Sequence, residues 1–297
     1  MVGDHGERLM SPGSALHGIP FVKMTGSGND FVFFDGRHVS LERVTSPEII
    51  QSICNRHNGI GADGIVILEP ALPRADVRIH YFNSDGTPAD LCGNATLCST
   101  AMSAMLGLAG DSGMTLTTPA GLISSRIVAG LPEIDLQPVT SIRADMPIDL
   151  MPGEQRIGFA VAGIPHVVIL CADADQVDVE GRGPLLRRHE ASGPLGANVN
   201  WVSPMPNGHW RYRTFERGVE GETLACGTGA VATAVLLTSW GLAAAPTVTI
   251  RTSSGRDLNV RLSTTTEPLA GYQPTLRGEG RVVFRGVIES ICADAAR

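Results

Sequence analysis

Cys92, in Asp90-Leu91-Cys92-Gly93-Asn94, and Cys226, in Leu224-Ala225-Cys226-Gly227-Thr228, stand 134 residues apart in matching contexts. A thiolate can take a proton and a thiol can give one, so a matched pair of cysteines is a pair of acid/base groups. Each is followed by Gly and then by a stretch without charge, 91–110 and 223–250, in a chain that is 18% charged. Those stretches read as buried helices, with each cysteine at a helix start. There the positive end of the helix dipole is expected to lower the thiol pKa from its free value of about 8.5. The first-turn N–H groups of Gly93, Asn94, Gly227 and Thr228 then form two nests of donors suited to one carboxylate. If the two halves face each other across a pseudo-twofold axis, their cysteines reach one cleft from opposite sides. That geometry suits inversion of a carbon centre, one thiolate taking a proton while the opposite thiol donates another.

Polar residues precede both cysteines at equal spacing: Asn83, nine residues before Cys92, and Glu216-Arg217, with Arg217 nine before Cys226. The equal spacing favours ligand contacts over a simple turn and a solvated ion pair. His166 lies in an apolar stretch, where it is either a catalytic base or a hydrogen-bonded core residue. Removing an α-proton from an amino acid usually calls on pyridoxal phosphate held by lysine. Lys23 is the only lysine, in an apolar strand, and reads as structural, so a cofactor-free route is expected, with helix dipoles and hydrogen bonds holding carbanion-like charge. Cys54, Cys98, Cys171 and Cys292 read as small structural residues. No CxxC occurs and no His sits at ligand spacing from Cys92 and Cys98, so no metal site is expected.

The elements that would hold these groups repeat. The 134-residue offset also takes Gly107 to Gly241, and Thr118 and Gly121 to Thr252 and Gly255. An offset of 135 takes Gly28-Asn29-Asp30-Phe31-Val32 to Gly163-Ile164-Pro165-His166-Val167, and Gly61-Ala62-Asp63 to Gly196-Ala197-Asn198. Two long copies signify duplicated domains rather than a solenoid. The fold class is therefore α/β, with two pseudo-symmetric domains, each a mixed or antiparallel sheet wrapped around a central buried helix. Their expected bounds are 19–135 and 136–278, after a loose leader over 1–18. Strands are expected over Phe21 to Phe34 around a Gly turn, Val77 to Phe82, Trp210 to Phe215, Val248 to Ile250, Leu258 to Leu262 and Val282 to Ile288. Surface helices are expected over Ser46 to Arg56, with Ser46 capping and Pro47 first, and over Gly183 to His189.

At 297 residues and 43% hydrophobic, the chain has room for two full cores. A net charge of −7 and the lack of a basic stretch argue against nucleic acid or an anionic membrane as partner. Six thinly spread cysteines without an export signal fit reduced thiols in a cytoplasm better than a disulfide framework.

Five motifs together resemble the diaminopimelate epimerase family, one of the cofactor-independent, two-cysteine racemases that include proline racemase. They are Lys23-Met24-Thr25-Gly26-Ser27-Gly28-Asn29-Asp30-Phe31, Gly59-Ile60-Gly61-Ala62-Asp63-Gly64, Phe82-Asn83-Ser84-Asp85-Gly86, Leu91-Cys92-Gly93-Asn94, and Glu216-Arg217-Gly218 with Cys226-Gly227-Thr228-Gly229. The resemblance implies that Cys92 and Cys226 are the acid/base pair. It implies that the α-carboxylate lies between Gly93-Asn94 and Gly227-Thr228, with Glu216 near the α-amine. It further implies a distal end held by Asn29, Asn83, Asn198 and Arg217, His166 beside the site, and a C-terminal strand, 279–291, crossing back to the first domain. Two departures bear on specificity. Ile164 replaces an Asn of the family's Gly-Asn-Pro-His, and Ala95-Thr96-Leu97 replaces Gly-x-Arg in its Cys-Gly-Asn-Gly-x-Arg-Cys. One lost hydrogen bond costs about 1 to 3 kcal/mol, which weakens discrimination without abolishing it.

The expected function is epimerisation of LL- to meso-diaminopimelate for lysine and cell-wall synthesis, without cofactor or metal, in the cytoplasm. The partner is a small amino acid, and a homodimer is left open. The alternatives are a racemase of another amino acid such as histidine, a non-catalytic carboxylate-binding protein on the same scaffold, and a thiol hydrolase using one cysteine with His166.

Overall fold

The computed structural model describes residues 16–89, 92–243, 246–266 and 269–291. Asp90, Leu91, Cys292 and most of the expected leader lie outside them. The first half runs β1 (Pro20–Gly26), β2 (Asn29–Asp35), α1 (Pro47–Cys54), β3 (Gly64–Pro70), β4 (Val77–Asn83), α2 (Gly93–Met105), β5 (Met114–Thr118), β6 (Gly121–Val128) and β7 (Leu131–Asp135). After the short β8 (Ile142–Arg143), the second half runs β9 (Glu154–Ala162), β10 (Ile164–Cys171), α3 (Val179–Arg187), β11 (Asn198–Pro204), β12 (Trp210–Glu216), β13 (Gly221–Thr223), α4 (Gly227–Ser239), β14 (Thr247–Arg251), β15 (Asp257–Thr265) and β16 (Gly271–Arg277). The last strand is β17 (Arg281–Val287).

The two halves repeat one pairing scheme. β2 and β3 run parallel, as do β10 and β11, where His166 stands opposite Asn198. β3 pairs antiparallel with β4, and β11 with β12. β4 and β5 are parallel, as are β12 and β14, before the antiparallel runs β5-β6-β7 and β14-β15-β16. Parallel neighbours need a crossover, and α1, α2, α3 and α4 supply one each. The halves join where β7 and β16 pair antiparallel, with Ile134 opposite Leu276. β8 pairs antiparallel with β9 within the second half, and β17, after the second half, crosses back to pair with β1. Each half is thus a mixed sheet wrapped around one helix, and the α/β class and pseudo-symmetry expected from the repeats describe the molecule.

Absence of charge explains why α2 and α4 lie inside. In α2 the buried residues run unbroken from Gly93 to Ser103, and α4 is buried at Gly227 and from Gly229 to Leu237. A helix enclosed on all faces has no solvent side on which charge would be tolerated. α2 packs on β1, β2, β3, β4, β6 and β7, and α4 on β9, β10, β11, β15 and β16. Replacing a fully buried leucine there, such as Leu236, by Ala removes contacts worth about 2 to 5 kcal/mol. Both helices end alike: Gly107 and Gly241 take φ of 66° and 73°, the left-handed conformation in which glycine carries no steric penalty. The next N–H groups, of Leu108 and Leu242, then bond back to Ser103 and Leu237.

α1 starts as expected, with the Ser46 hydroxyl accepting from the Ile49 N–H at 3.3 Å. α3 does not: it covers Val179–Arg187 instead of Gly183 to His189, because the Asp178 carboxylate accepts from the Gly181 N–H at 2.9 Å and fixes an earlier start. Gly181, Gly183 and Pro184 hid that cap. Lys23 is buried, as a strand lysine can be only with a partner. It pairs with Asp30 at 2.7 Å and donates to the Gly61 carbonyl.

Candidate active site

Cys92 and Cys226 occupy the N-cap positions of α2 and α4 with nearly the same backbone, φ −130° and ψ 117° against φ −130° and ψ 113°. The first helical bonds run from Thr96 N–H to the Cys92 carbonyl and from Ala230 N–H to the Cys226 carbonyl, both at 2.9 Å. The N–H groups ahead of those bonds have no partner within the helix. The two helix starts meet. A Cβ built on Gly93 would lie 3.6 Å from the Gly227 Cα, and one on Gly227 would lie 3.6 Å from the Gly93 Cα. One junction therefore brings together Cys92, Gly93, Asn94, Cys226, Gly227 and Thr228. Cys226 is buried and Cys92 partly open to solvent; with Cys54, Cys98 and Cys171, which are buried, they are free thiols.

Around Cys226 the second half supplies a compact polar set. The Asn198 amide nitrogen lies 3.7 Å from the Cys226 sulfur and 3.5 Å from Glu216 Oε2, while its carbonyl oxygen accepts the Arg217 N–H at 2.9 Å. Thr223 donates its hydroxyl to Glu216 Oε1 at 2.5 Å, and the Thr228 hydroxyl lies 3.6 Å from the sulfur. The Arg217 guanidinium reaches the Leu195 carbonyl at 3.3 Å. The β9–β10 hairpin turns beside this helix start, a Cβ on Gly163 falling 3.8 Å from Thr228 Cγ2, which brings the backbone preceding Ile164 close to the junction.

Around Cys92 the set is longer. Asn94 donates its amide to Asn29 Oδ1 at 2.6 Å, and Asn29 donates its own to Asp63 Oδ2 at 3.0 Å. Arg56 binds Asp63 Oδ1 and Asp30 Oδ1, each at 2.7 Å. Asn83 stands opposite Gly64 in the β3–β4 ladder, next to Asp63, but its amide donates at 3.1 Å to Thr87 within its own turn.

Burial dominates both thiols. It pushes Cys92 up to about 11, the Glu216 and Asp63 charges adding to the rise, while the Ala95 and Asn94 N–H groups act the other way. Burial and Glu216 raise Cys226 well above the ordinary thiol range, against the Thr228 hydroxyl and the Gly229 N–H. The depression expected from the helix dipole is thus present in sign but outweighed, because a closed junction desolvates the thiolate more than a few N–H groups stabilise it. Glu216 is itself raised by burial.

His166 is fully buried and held down to about 3 by burial and by the Arg217 charge. Its Nδ1 faces the Asn200 amide nitrogen at 3.3 Å. The Asn200 carbonyl oxygen is already taken by the hydroxyls of Tyr212, at 2.7 Å, and Thr214, at 3.0 Å, so Nδ1 accepts and Nε2 carries the proton. Nε2 has no partner. An imidazole held this low is a poor proton carrier near neutral pH.

Asn200, Tyr212, Thr214 and Thr223 did not stand out in the sequence. Asp63 carried a signal, since the repeat aligns it with Asn198. A cleft of about 660 Å³ lined by Cys171, Arg182 and Leu185 includes none of the candidate residues. Among the described residues no cluster of three or more His, Cys, Asp or Glu has metal-holding geometry, and no helix is long and apolar enough to cross a membrane.

Comparison with known proteins bears on the family and the fold. A family model described as diaminopimelate epimerase matches residues 21–134 and 159–269, one segment in each half. The chain is 70% identical over 276 residues to the diaminopimelate epimerase of Gemmatimonas aurantiaca, covering 91% of this chain and 99% of that protein. It is 36% identical to that of Aquifex aeolicus, covering 82% and 90%. In fold it is similar to a PhzF-family phenazine biosynthesis protein from Bacillus anthracis, with TM-score 0.70 and 15% identity over 90% of this chain and 98% of the other. A hydroxyproline epimerase from Agrobacterium vitis, with trans-4-hydroxy-L-proline bound, gives TM-score 0.67 and 17% identity over 93% of both chains.

Proposed function

The chain belongs to the diaminopimelate epimerase family, and on that premise we propose that it converts LL- to meso-diaminopimelate, using Cys92 and Cys226 as the two bases and no cofactor. The observation that carries the reading is the meeting of two cysteine-capped helix starts at Gly93 and Gly227. The substrate α-carboxylate binds the free N–H groups of Gly93-Asn94 and Gly227-Thr228, where two helix dipoles converge. Its α-carbon then lies between the sulfurs. One sulfur, as thiolate, takes the α-proton and becomes a thiol; the electron pair left on carbon delocalises into the carboxylate, where the N–H groups hold the growing charge. The opposite thiol returns a proton to the other face and becomes the thiolate, so each turnover leaves the pair in mirror-image protonation.

Glu216 takes the α-ammonium, and Asn29, Asn83, Asn198 and Arg217 take the distal end. His166 stays neutral and shapes the wall behind Asn198. Two lobes, 19–135 and 136–278, with 279–291 returning to the first, close on the substrate. The same reading places the protein in the cytoplasm, acting on a free amino acid rather than on nucleic acid or membrane.

The test is α-deuterium incorporation in D2O with a panel containing LL-diaminopimelate, meso-diaminopimelate, proline and histidine. Exchange and inversion of diaminopimelate well above the others is expected. No exchange with diaminopimelate, or faster exchange with histidine, overturns the substrate assignment.

A further inference from the structure

We propose that Asp63 is a positioning residue that sets the polarity of a side-chain relay ending at the helix junction, leaving Asn94 Oδ1 as an acceptor for the substrate α-ammonium. This inference rests on the function proposed above. The relay begins at a group that can only accept: a carboxylate has no donor, so Asn29 must turn its NH2 to Asp63 Oδ2, at 3.0 Å. That turns Asn29 Oδ1 to Asn94, which must present its own NH2, at 2.6 Å. Asn94 is then left with its carbonyl oxygen free. Among the described residues that buried oxygen has no hydrogen-bond partner, and it lies 3.6 Å from where a Cβ on Gly227 would stand, at the junction of the two helix starts. A lone carbonyl acceptor has the wrong sign for a carboxylate and the right one for an ammonium.

Asp63 is well held for this role. Arg56 occupies its Oδ1 at 2.7 Å, the Asp30 N–H reaches its Oδ2 at 3.2 Å, its own N–H bonds the Asp30 carbonyl at 2.9 Å, and its carbonyl accepts Ser84 N–H at 3.0 Å. The repeat shows what is peculiar to this half. Asp63 aligns with Asn198 and Asn29 with Ile164. Asn198 approaches Cys226 directly, whereas Asp63 acts on the Cys92 side through Asn29, which its counterpart Ile164 has no amide to imitate.

The experiment compares wild type, Asp63→Asn, Asn29→Ala and the double variant. An asparagine at 63 has a donor as well as an acceptor, so the relay can reverse and turn the Asn94 NH2 inward. Asp63→Asn is expected to raise KM for diaminopimelate about tenfold to a hundredfold, the cost of a lost hydrogen bond to a charged group, with kcat changed less than about threefold and the melting temperature nearly kept. Asn29→Ala and the double variant should be equally impaired, because the two residues act in one chain. A second readout needs no substrate. The Asp63 charge is among those that raise the Cys92 thiol, whereas Glu216 is the charge that raises Cys226. Iodoacetamide should therefore modify Cys92 of Asp63→Asn faster at a given pH, with Cys226 changed less. A wild-type KM in Asp63→Asn, additive losses in the double variant, or equal change at both cysteines overturns the proposal. A wild type inert towards diaminopimelate overturns instead the function it rests on.

Discussion

His166 offers a prediction whose size follows from its surroundings. The folded protein holds this imidazole down to about 3, whereas an unfolded chain protonates it near 6.5. For a group whose folded pKa is depressed, stability is fully present above the unfolded pKa and is lost as pH falls towards the folded one. The loss is about 1.4 kcal/mol per pH unit, hence about 3 kcal/mol between pH 6.5 and 4.5 and about 5 kcal/mol by pH 3. His166→Asn removes the titration while keeping an acceptor for Asn200. Urea unfolding of both proteins at half-unit steps from pH 7.5 to 4.5 gives the difference in stability. It should be flat above pH 6.5 and shrink by about 1.4 kcal/mol per unit below it. Parallel curves over the whole range would refute the reasoning, since they mean that the imidazole takes its proton in the folded state and is no buried neutral wall.

Other outcomes follow from the same geometry. Glu216→Gln removes a charge that raises both thiols, so the alkylation midpoint of Cys92 should drop from about 11 by about one pH unit, as mapped by mass spectrometry of iodoacetamide-treated protein. An upward move contradicts the sign. Gly229→Ala would set a Cβ 2.2 Å from the Tyr212 hydroxyl and 2.5 Å from Asn200 Oδ1, breaking a buried hydrogen bond, and should cost about 2 to 4 kcal/mol by denaturant titration. In the substrate-free protein, diamide should take two electrons and two protons from the Cys92 and Cys226 thiols, its azo bond becoming a hydrazine as the disulfide forms, with inactivation that dithiothreitol reverses. Unchanged activity and two free thiols after diamide would argue against facing sulfurs.

The chain wrote some of this plainly. The uncharged stretches forced α2 and α4 inside, whereas Gly107 and Gly241, visible in the sequence only as a repeated pair, proved to end both helices. The helix starts at Cys92 and Cys226 were equally legible, because Cys-Gly recurs there at the repeat offset. α3 was misjudged because glycines and a proline disguised a cap made by Asp178. The thiol pKa direction was misjudged for a different reason. A dipole can be read from a helix start, but desolvation depends on what the other half brings up against it. The Asn200-Tyr212-Thr214 set around His166 was invisible for the same cause: its members lie on two strands, β11 and β12, and meet the imidazole of β10 only in the folded sheet.

The central claim is that one sulfur works on each face of a single carbon, and the most direct measurement is inversion of diaminopimelate by Cys92→Ala and Cys226→Ala beside wild type in D2O. Each variant should fold with a wild-type melting profile, lose inversion by a factor on the order of 100 to 10,000, and so place one necessary proton carrier on each side. Retained inversion in either variant, with deuterium still entering at the α-carbon, would contradict a two-thiol mechanism.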